Sequence, residues 1–162
     1  MKPFVATSID QFPGPEQIMS MSGLEFMRGV MSGDVTGPPI GGLMNYWLDE
    51  VSEGRVVFRG APKFESMNPM GTVHGGWYGT LLDSCMACAV MTKVPKGSIY
   101  TTLEYKVNIT RAIPVGMEII AEGLVQHGGR STGVASGEIR GAEDGKVYAT
   151  GSTTCMIFRP AV

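Results

Sequence analysis

The plainest pattern in the chain lies over residues 99–110. There Ile99, Thr101, Leu103, Tyr105, Val107 and Ile109 alternate with Thr102, Glu104, Lys106, Asn108 and Thr110. Period two predicts a strand with one buried face, and it sets Thr102 on the face opposite Leu103. Pro114-Val115-Gly116 interrupts the pattern, and strands are predicted again over residues 117–126 and 131–140, separated by the turn His127-Gly128-Gly129. A long final strand over 146–158 follows the Asp144-Gly145 hairpin signal. Upstream, residues 43–48 and 55–58 flank the polar stretch Asp49-Glu50-Val51-Ser52-Glu53-Gly54 and read as a hairpin.

Between these two groups the period changes. From His74 onward, Gly75, Gly76 and Gly79 lead into Leu81, Leu82, Cys85, Met86, Ala87, Cys88, Ala89, Val90 and Met91. This is a helix apolar almost all round, and such a helix has to be enclosed by other structure. The later strands, run on as an antiparallel meander, supply the wrapping. The predicted class is therefore α+β, a sheet wrapped around one long helix, with edges and an outer face that association between copies would cover. Residues 1–42 carry Pro3, Pro13, Pro15, Pro38 and Pro39 around one predicted helix over 16–31, whose methionines suit either a packing helix or a lid over an apolar site. The division predicted is an N-terminal helical extension over 1–42 and a main domain over 43–162.

Composition narrows the function classes. At 162 residues the chain is long enough for one core without metal or disulfide staples. Charged residues make up 17%, a low share that again points to surface hidden between subunits. A net charge of −2 leaves no basic stripe, so nucleic acid is not an expected partner. No apolar run approaches the ~20 residues of a membrane span. Cys85, Cys88 and Cys155 are odd in number and no cleavable leader precedes the folded part, from which a cytoplasmic protein is expected. Cys85 and Cys88 fall inside the apolar helix, where small residues three apart simply pack.

One residue in that helix asks for a reason. Asp83 is the only formally charged side chain between Glu65 and Lys93, and a carboxylate among apolar side chains costs several kcal/mol unless it is compensated. It is either hydrogen-bonded to a backbone terminus or an Arg, or it is functional. The start of the same helix offers unpaired N–H groups and the positive end of the helix dipole. Glycines there let a ligand approach the backbone closely.

The stretch Asn68-Pro69-Met70-Gly71-Thr72-Val73-His74-Gly75-Gly76-Trp77-Tyr78-Gly79-Thr80-Leu81-Leu82-Asp83 resembles the signature of the PaaI-type hotdog-fold acyl-CoA thioesterases, in the 4-hydroxybenzoyl-CoA thioesterase-like superfamily. In that signature an Asn or Gln lies six residues before the His of an H-G-G, and an acid lies nine after it. Together with the strand that follows, the likeness spans roughly residues 43–158. It implies a hotdog fold and hydrolysis of an acyl-CoA, aryl-acetyl or medium-chain, with coenzyme A as part of the substrate and no separate cofactor. By resemblance Asp83 is nucleophile or general base and the Gly75 amide polarises the carbonyl. Asn68 holds the water or the thioester oxygen, although taken alone it reads equally as an Asn-Pro turn former; Thr102 helps orient water, and His74 bonds near the thioester or fixes the loop. Gly76 lies against the substrate. Met70, Val73 and Trp77 either line an acyl pocket or belong to the core, and Arg130 is the best-placed candidate for the coenzyme A phosphates. With His127 the only other histidine, a zinc set lacks ligands and no metal is expected.

Nine residues at about 100° and 1.5 Å each put Asp83 on the opposite side of the helix from His74 and about 13–14 Å along it. Reacting groups have to come within about 3–3.5 Å. Asp83 is therefore expected to meet the glycine amides of a second copy in a homodimer, and the resemblance extends this to a dimer of dimers. Two other readings stay open: a hotdog dehydratase or hydratase, which would need a histidine acid/base, and a non-catalytic acyl-CoA-binding module.

Overall fold

A computed structural model describes residues 4–159. Four helices, α1 (Pro15–Met19), α2 (Gly23–Ser32), α3 (Pro39–Met44) and α4 (Gly75–Met91), accompany six strands. These are β1 (Tyr46–Ser52), β2 (Arg55–Gly60), β3 (Ile99–Ile109), β4 (Ile119–Gly128), β5 (Thr132–Gly141) and β6 (Val147–Phe158). All pair antiparallel in one sheet of order β1-β2-β4-β5-β6-β3. The sheet packs on α4, whose Leu81, Leu82, Cys85, Met86 and Ala89 are fully buried. This is the α+β layer expected from the pattern, arranged as the hotdog fold that the resemblance implies.

The meander is corrected in one respect. β3 does not lie beside β4; it runs at the far edge against β6, and β4 returns to pair with β2. The helix between β2 and β3 carries the chain across the sheet, and alternation along a strand holds no information about its partner.

Three glycines seat the helix. Gly123 on β4 pairs with Gly137 on β5, which pairs with Gly151 on β6, so they form a row across three strands. A β-carbon at Gly123 would lie 2.1 Å from the Cys85 carbonyl oxygen, and those at Gly137 and Gly151 would meet Met86. The missing side chains make a trough into which α4 sinks to backbone contact.

The N-terminal segment also differs from the prediction in detail. The single helix expected over 16–31 is two, because Ser22 starts a new one: its hydroxyl accepts from the Glu25 N–H, and the Glu25 carboxylate accepts from the Ser22 N–H at 2.7 Å. Residues 43 and 44 end α3, not the first strand, which opens at Tyr46 after Asn45 adopts a left-handed conformation (φ 58°). Met27, Val30 and Val35 of this segment share one core with α4. Among the described residues no helix is long and apolar enough to cross a membrane.

Candidate active site

The site is built where α4 lies along β3. A bulge at Leu103 shifts the β3–β6 register between Thr102 and Glu104, and the extra residue flips the parity of the strand. Before it, Tyr100 and Thr102 face the helix; after it, Tyr105 and Ile109 do. A β-carbon at Gly79 would lie 3.4 Å from the Tyr105 ring, and one at Gly75 would lie 3.4 Å from Ile109 Cδ1. The third member of the same helix row, four residues on, is Asp83. The strict alternation expected for this strand is thus corrected: Thr102 and Tyr105 share the inner side.

Thr102 donates its hydroxyl to Asp83 Oδ1 at 3.1 Å. Burial holds the Asp83 carboxyl above the usual aspartate range, and the Thr102 hydrogen bond works against that shift. Asp83 has no ion pair among the described residues, so the arginine network that would make it structural is not what holds it. Its group is half-buried and tethered on one oxygen, leaving the other free to act.

At the far end, His74 is the N-cap of α4. Its Nδ1 accepts from the Gly76 N–H at 2.8 Å, and its carbonyl accepts from Trp77 N–H. The Gly76 amide is therefore occupied within the chain, whereas the Gly75 N–H, first in the helix, has no helical acceptor. A β-carbon at Gly76 would lie 2.9 Å from His74 Nδ1, so the capping imidazole itself requires a small residue there. Gly75 and Asp83 stand about 12 Å apart along the axis, and one chain does not bring them together.

Asn68 is engaged inside its own loop. Its Oδ1 accepts from the Met70 and Thr72 N–H groups at 3.0 and 3.2 Å, and its Nδ2 donates to Thr72 Oγ1. Met70 is 85% exposed, while Val73 and Trp77 are buried. Trp77 donates its indole N–H to the Met44 carbonyl and also borders a cleft of about 390 Å³ with His74, Gly76, Thr80 and Met67. Arg130 is exposed in the β4–β5 turn and without an ion pair among the described residues. No group of three or more His, Cys, Asp or Glu side chains is gathered for a metal among the described residues.

Sequence reasoning gave the residues beside Asp83 no part in the site. Tyr46 and Ser84 share a hydrogen bond of 2.8 Å between hydroxyls, and burial pushes the Tyr46 phenol up to about 12. Cys88 and Tyr100 sit next along α4 and β3, both raised by burial. The only signal for them was the polar Ser84 next to the acid.

Residues 70–148 match the family model of the thioesterase superfamily. No curated protein matches the chain. Among solved structures, a putative thioesterase, phenylacetic acid degradation-related, from Ralstonia eutropha JMP134 is 25% identical with a TM-score of 0.73, over 81% of this chain and 98% of that one. A thioesterase family protein from Silicibacter pomeroyi is 22% identical with a TM-score of 0.74, over 86% and 100%. A hypothetical thioesterase from Streptococcus pneumoniae TIGR4, solved with coenzyme A, is 24% identical with a TM-score of 0.64, over 73% and 89%.

Proposed function

We propose that this chain, whose residues 70–148 match the thioesterase superfamily and whose fold is that of the hotdog thioesterases, is a thioester hydrolase that cleaves acyl-coenzyme A to the free acid and coenzyme A with Asp83 as its reacting carboxylate. The observation that carries the reading is the bond between Thr102 and Asp83 on an otherwise apolar helix. A hydroxyl donor favours the ionised carboxylate against the effect of burial and orients it, which suits a nucleophile or base and gives an apolar core nothing. Asp83 either attacks the thioester carbon, forming a mixed anhydride that water then opens, or takes a proton from the attacking water. In both routes the thiolate leaves and is protonated.

The carbonyl oxygen is polarised by the Gly75 amide of a second copy. The separation of Gly75 from Asp83 within one helix supports this, and so does β3, an edge strand with Leu103, Tyr105 and Ile109 at 58%, 46% and 49% exposure. A long apolar edge of this kind is an association surface. Two copies joined there present two sites, and further pairing into a dimer of dimers covers remaining sheet surface. Three free thiols, two of them fully buried, accord with a reducing cytoplasm. A complex of the Streptococcus pneumoniae fold neighbour with coenzyme A supports the choice of thiol.

The test is thiol release from a panel of acyl-CoA substrates. Asp83→Asn is expected to lower kcat by about 10²–10⁴ with KM little changed, as for a group acting in the transition state. Wild-type turnover retained in Asp83→Asn, or tight binding of every acyl-CoA without turnover, refutes the assignment. Hydration of an enoyl-CoA in place of hydrolysis would do the same.

A further inference from the structure

Between the N-terminal segment and the flank of α4 lies a cavity of about 280 Å³. Phe12, Ile18, Phe26, Val30 and Ile40 form its outer wall, and Leu48 and Phe58 of the β1–β2 hairpin its floor. Its inner wall is Ser84, Cys88 and Met91 of α4 with Tyr100 of β3. Among the described residues no charged side chain lines it. Protein interiors rarely leave a void much larger than a water molecule, because its lining forfeits contacts. A cleft of this size with so apolar a lining suits an apolar ligand.

The cavity adjoins the reacting group through chain neighbours that line it. Ser84 follows Asp83 on the helix, and Tyr100 lies two residues before Thr102 on the same inner face of β3. Among its polar groups, the Tyr46–Ser84 hydroxyl pair stands next to the acid in sequence. From there the wall runs along α4 to Met91, about 10 Å at helical rise. An engineered cavity of ~150 Å³ takes benzene, and the present one is nearly twice that.

We propose that this cavity receives the acyl chain of the thioester, and that the preferred acyl group is an unbranched medium-length aliphatic chain of about eight to ten carbons. The N-terminal segment, outside the residues that match the family model, is then the wall that sets chain length. The inference rests on Asp83 as the reacting group only for the direction in which the chain enters. Selectivity follows from the geometry: carbons fill the space from Ser84 toward Met91, and a chain that outruns Met91 has to bend or displace α2.

The experiment joins two measurements on the full chain. The first is kcat/KM for acetyl-, hexanoyl-, decanoyl-, hexadecanoyl- and phenylacetyl-CoA. The second is binding of decanoate to wild-type protein by isothermal titration calorimetry. Each buried methylene multiplies kcat/KM by roughly four, so the profile should climb to decanoyl, fall at hexadecanoyl and leave phenylacetyl below decanoyl. Ile40→Trp fills the cavity from the outer wall and should lower the decanoyl-to-acetyl ratio by about tenfold or more, weakening decanoate binding in parallel. Phe26→Ala enlarges it and should move the optimum toward longer chains; it decides the matter if Ile40→Trp does not fold by circular dichroism. A flat profile, a phenylacetyl optimum, or ratios unmoved in a folded variant overturns the pocket while leaving hydrolysis by Asp83 standing. Decanoate binding that Ile40→Trp weakens, in a protein that cleaves no thioester, upholds the pocket and overturns the hydrolytic reading instead.

Discussion

Gly123→Ala puts one methyl group between α4 and the sheet that holds it. The added carbon would stand 2.1 Å from Cys85 O, 2.5 Å from Cys85 C and 2.8 Å from Met86 N. Ordinary contact begins near 3.4 Å, so the helix has to rise by roughly an ångström. All three atoms belong to the backbone in the middle of a helix, and no side-chain rotation relieves them. Taken by propensity alone, glycine to alanine in a strand should stabilise by about 0.5–1 kcal/mol. Overpacking costs about 1–3 kcal/mol where side chains can adjust, and a clash with rigid backbone belongs at the upper end, so the net expectation after the propensity gain is a loss of about 2–2.5 kcal/mol. For a chain of this size that is a fall in Tm of roughly 4–10 °C. Lifting Cys85 also moves Asp83, two residues before it, away from Thr102, so kcat should fall even at temperatures where the variant is fully folded. Gly137→Ala is the control. Its added carbon meets the flexible Met86 Cγ at 2.7 Å, and it should lose less than half as much. Melting by circular dichroism and thiol-release kinetics read both effects. A Gly123→Ala protein melting within about 2 °C of wild type, or a Gly137→Ala protein equally damaged, would refute the seat.

Asp83 is raised above the ordinary aspartate value by burial, so its contribution to stability is present in full below the unfolded-state value and is lost as pH rises through the folded one. Asp83→Asn should therefore melt higher than wild type at neutral pH, with the gain fading in acid; a variant less stable at neutral pH contradicts the assignment. The acid limb of activity should likewise lie above the range of a free aspartate, and Thr102→Val, which removes the bond opposing the shift, should carry it to higher pH; an unmoved pH–rate profile argues against the contact. His74→Ala deletes the cap on Gly76 N–H and should cost about 0.5–2 kcal/mol, with His74→Asn restoring most of it; equal melting of the three proteins shows that the cap contributes nothing. Leu103→Lys places a charge on the exposed edge of β3 and should shift sedimentation velocity toward the single chain, with activity falling alongside. A fully active single chain would dismiss the shared site.

What was legible in the sequence was what local pattern encodes. The apolar run after His74 had to be an enclosed helix, and it is one from Gly75 to Met91. Turn glycines marked the β4–β5 and β5–β6 connections to within a few residues. Asp83 stood out because a lone acid in such a helix demands a partner, and Thr102 proved to be bonded to it. The partner of β3 was hidden because pairing is a long-range choice that no strand states in its own residues. The bulge at Leu103 was hidden for a related reason: the residues alternate unbroken through it, and only the register against β6 shows that two of them oppose one. Gly123, Gly137 and Gly151 read singly as strand interruptions, and become a trough only when the strands are laid side by side. The acyl cavity was least visible, since its walls come from five separate stretches of chain.

The two tasks of the molecule therefore fall on parts of the chain with different tolerance to change. The acid and its hydroxyl are placed by backbone features, a row of absent side chains and one extra strand residue, and a single methyl group at Gly123 disturbs both stability and geometry. The outer wall of the cavity is placed by side chains such as Phe26 and Ile40, half-buried and free to differ in size while the backbone beneath them stays put. Substitutions within residues 12–40 should on this ground shift chain-length preference more readily than they shift the chemistry, because they alter where the acyl tail stops and not where the Asp83 carboxylate is held.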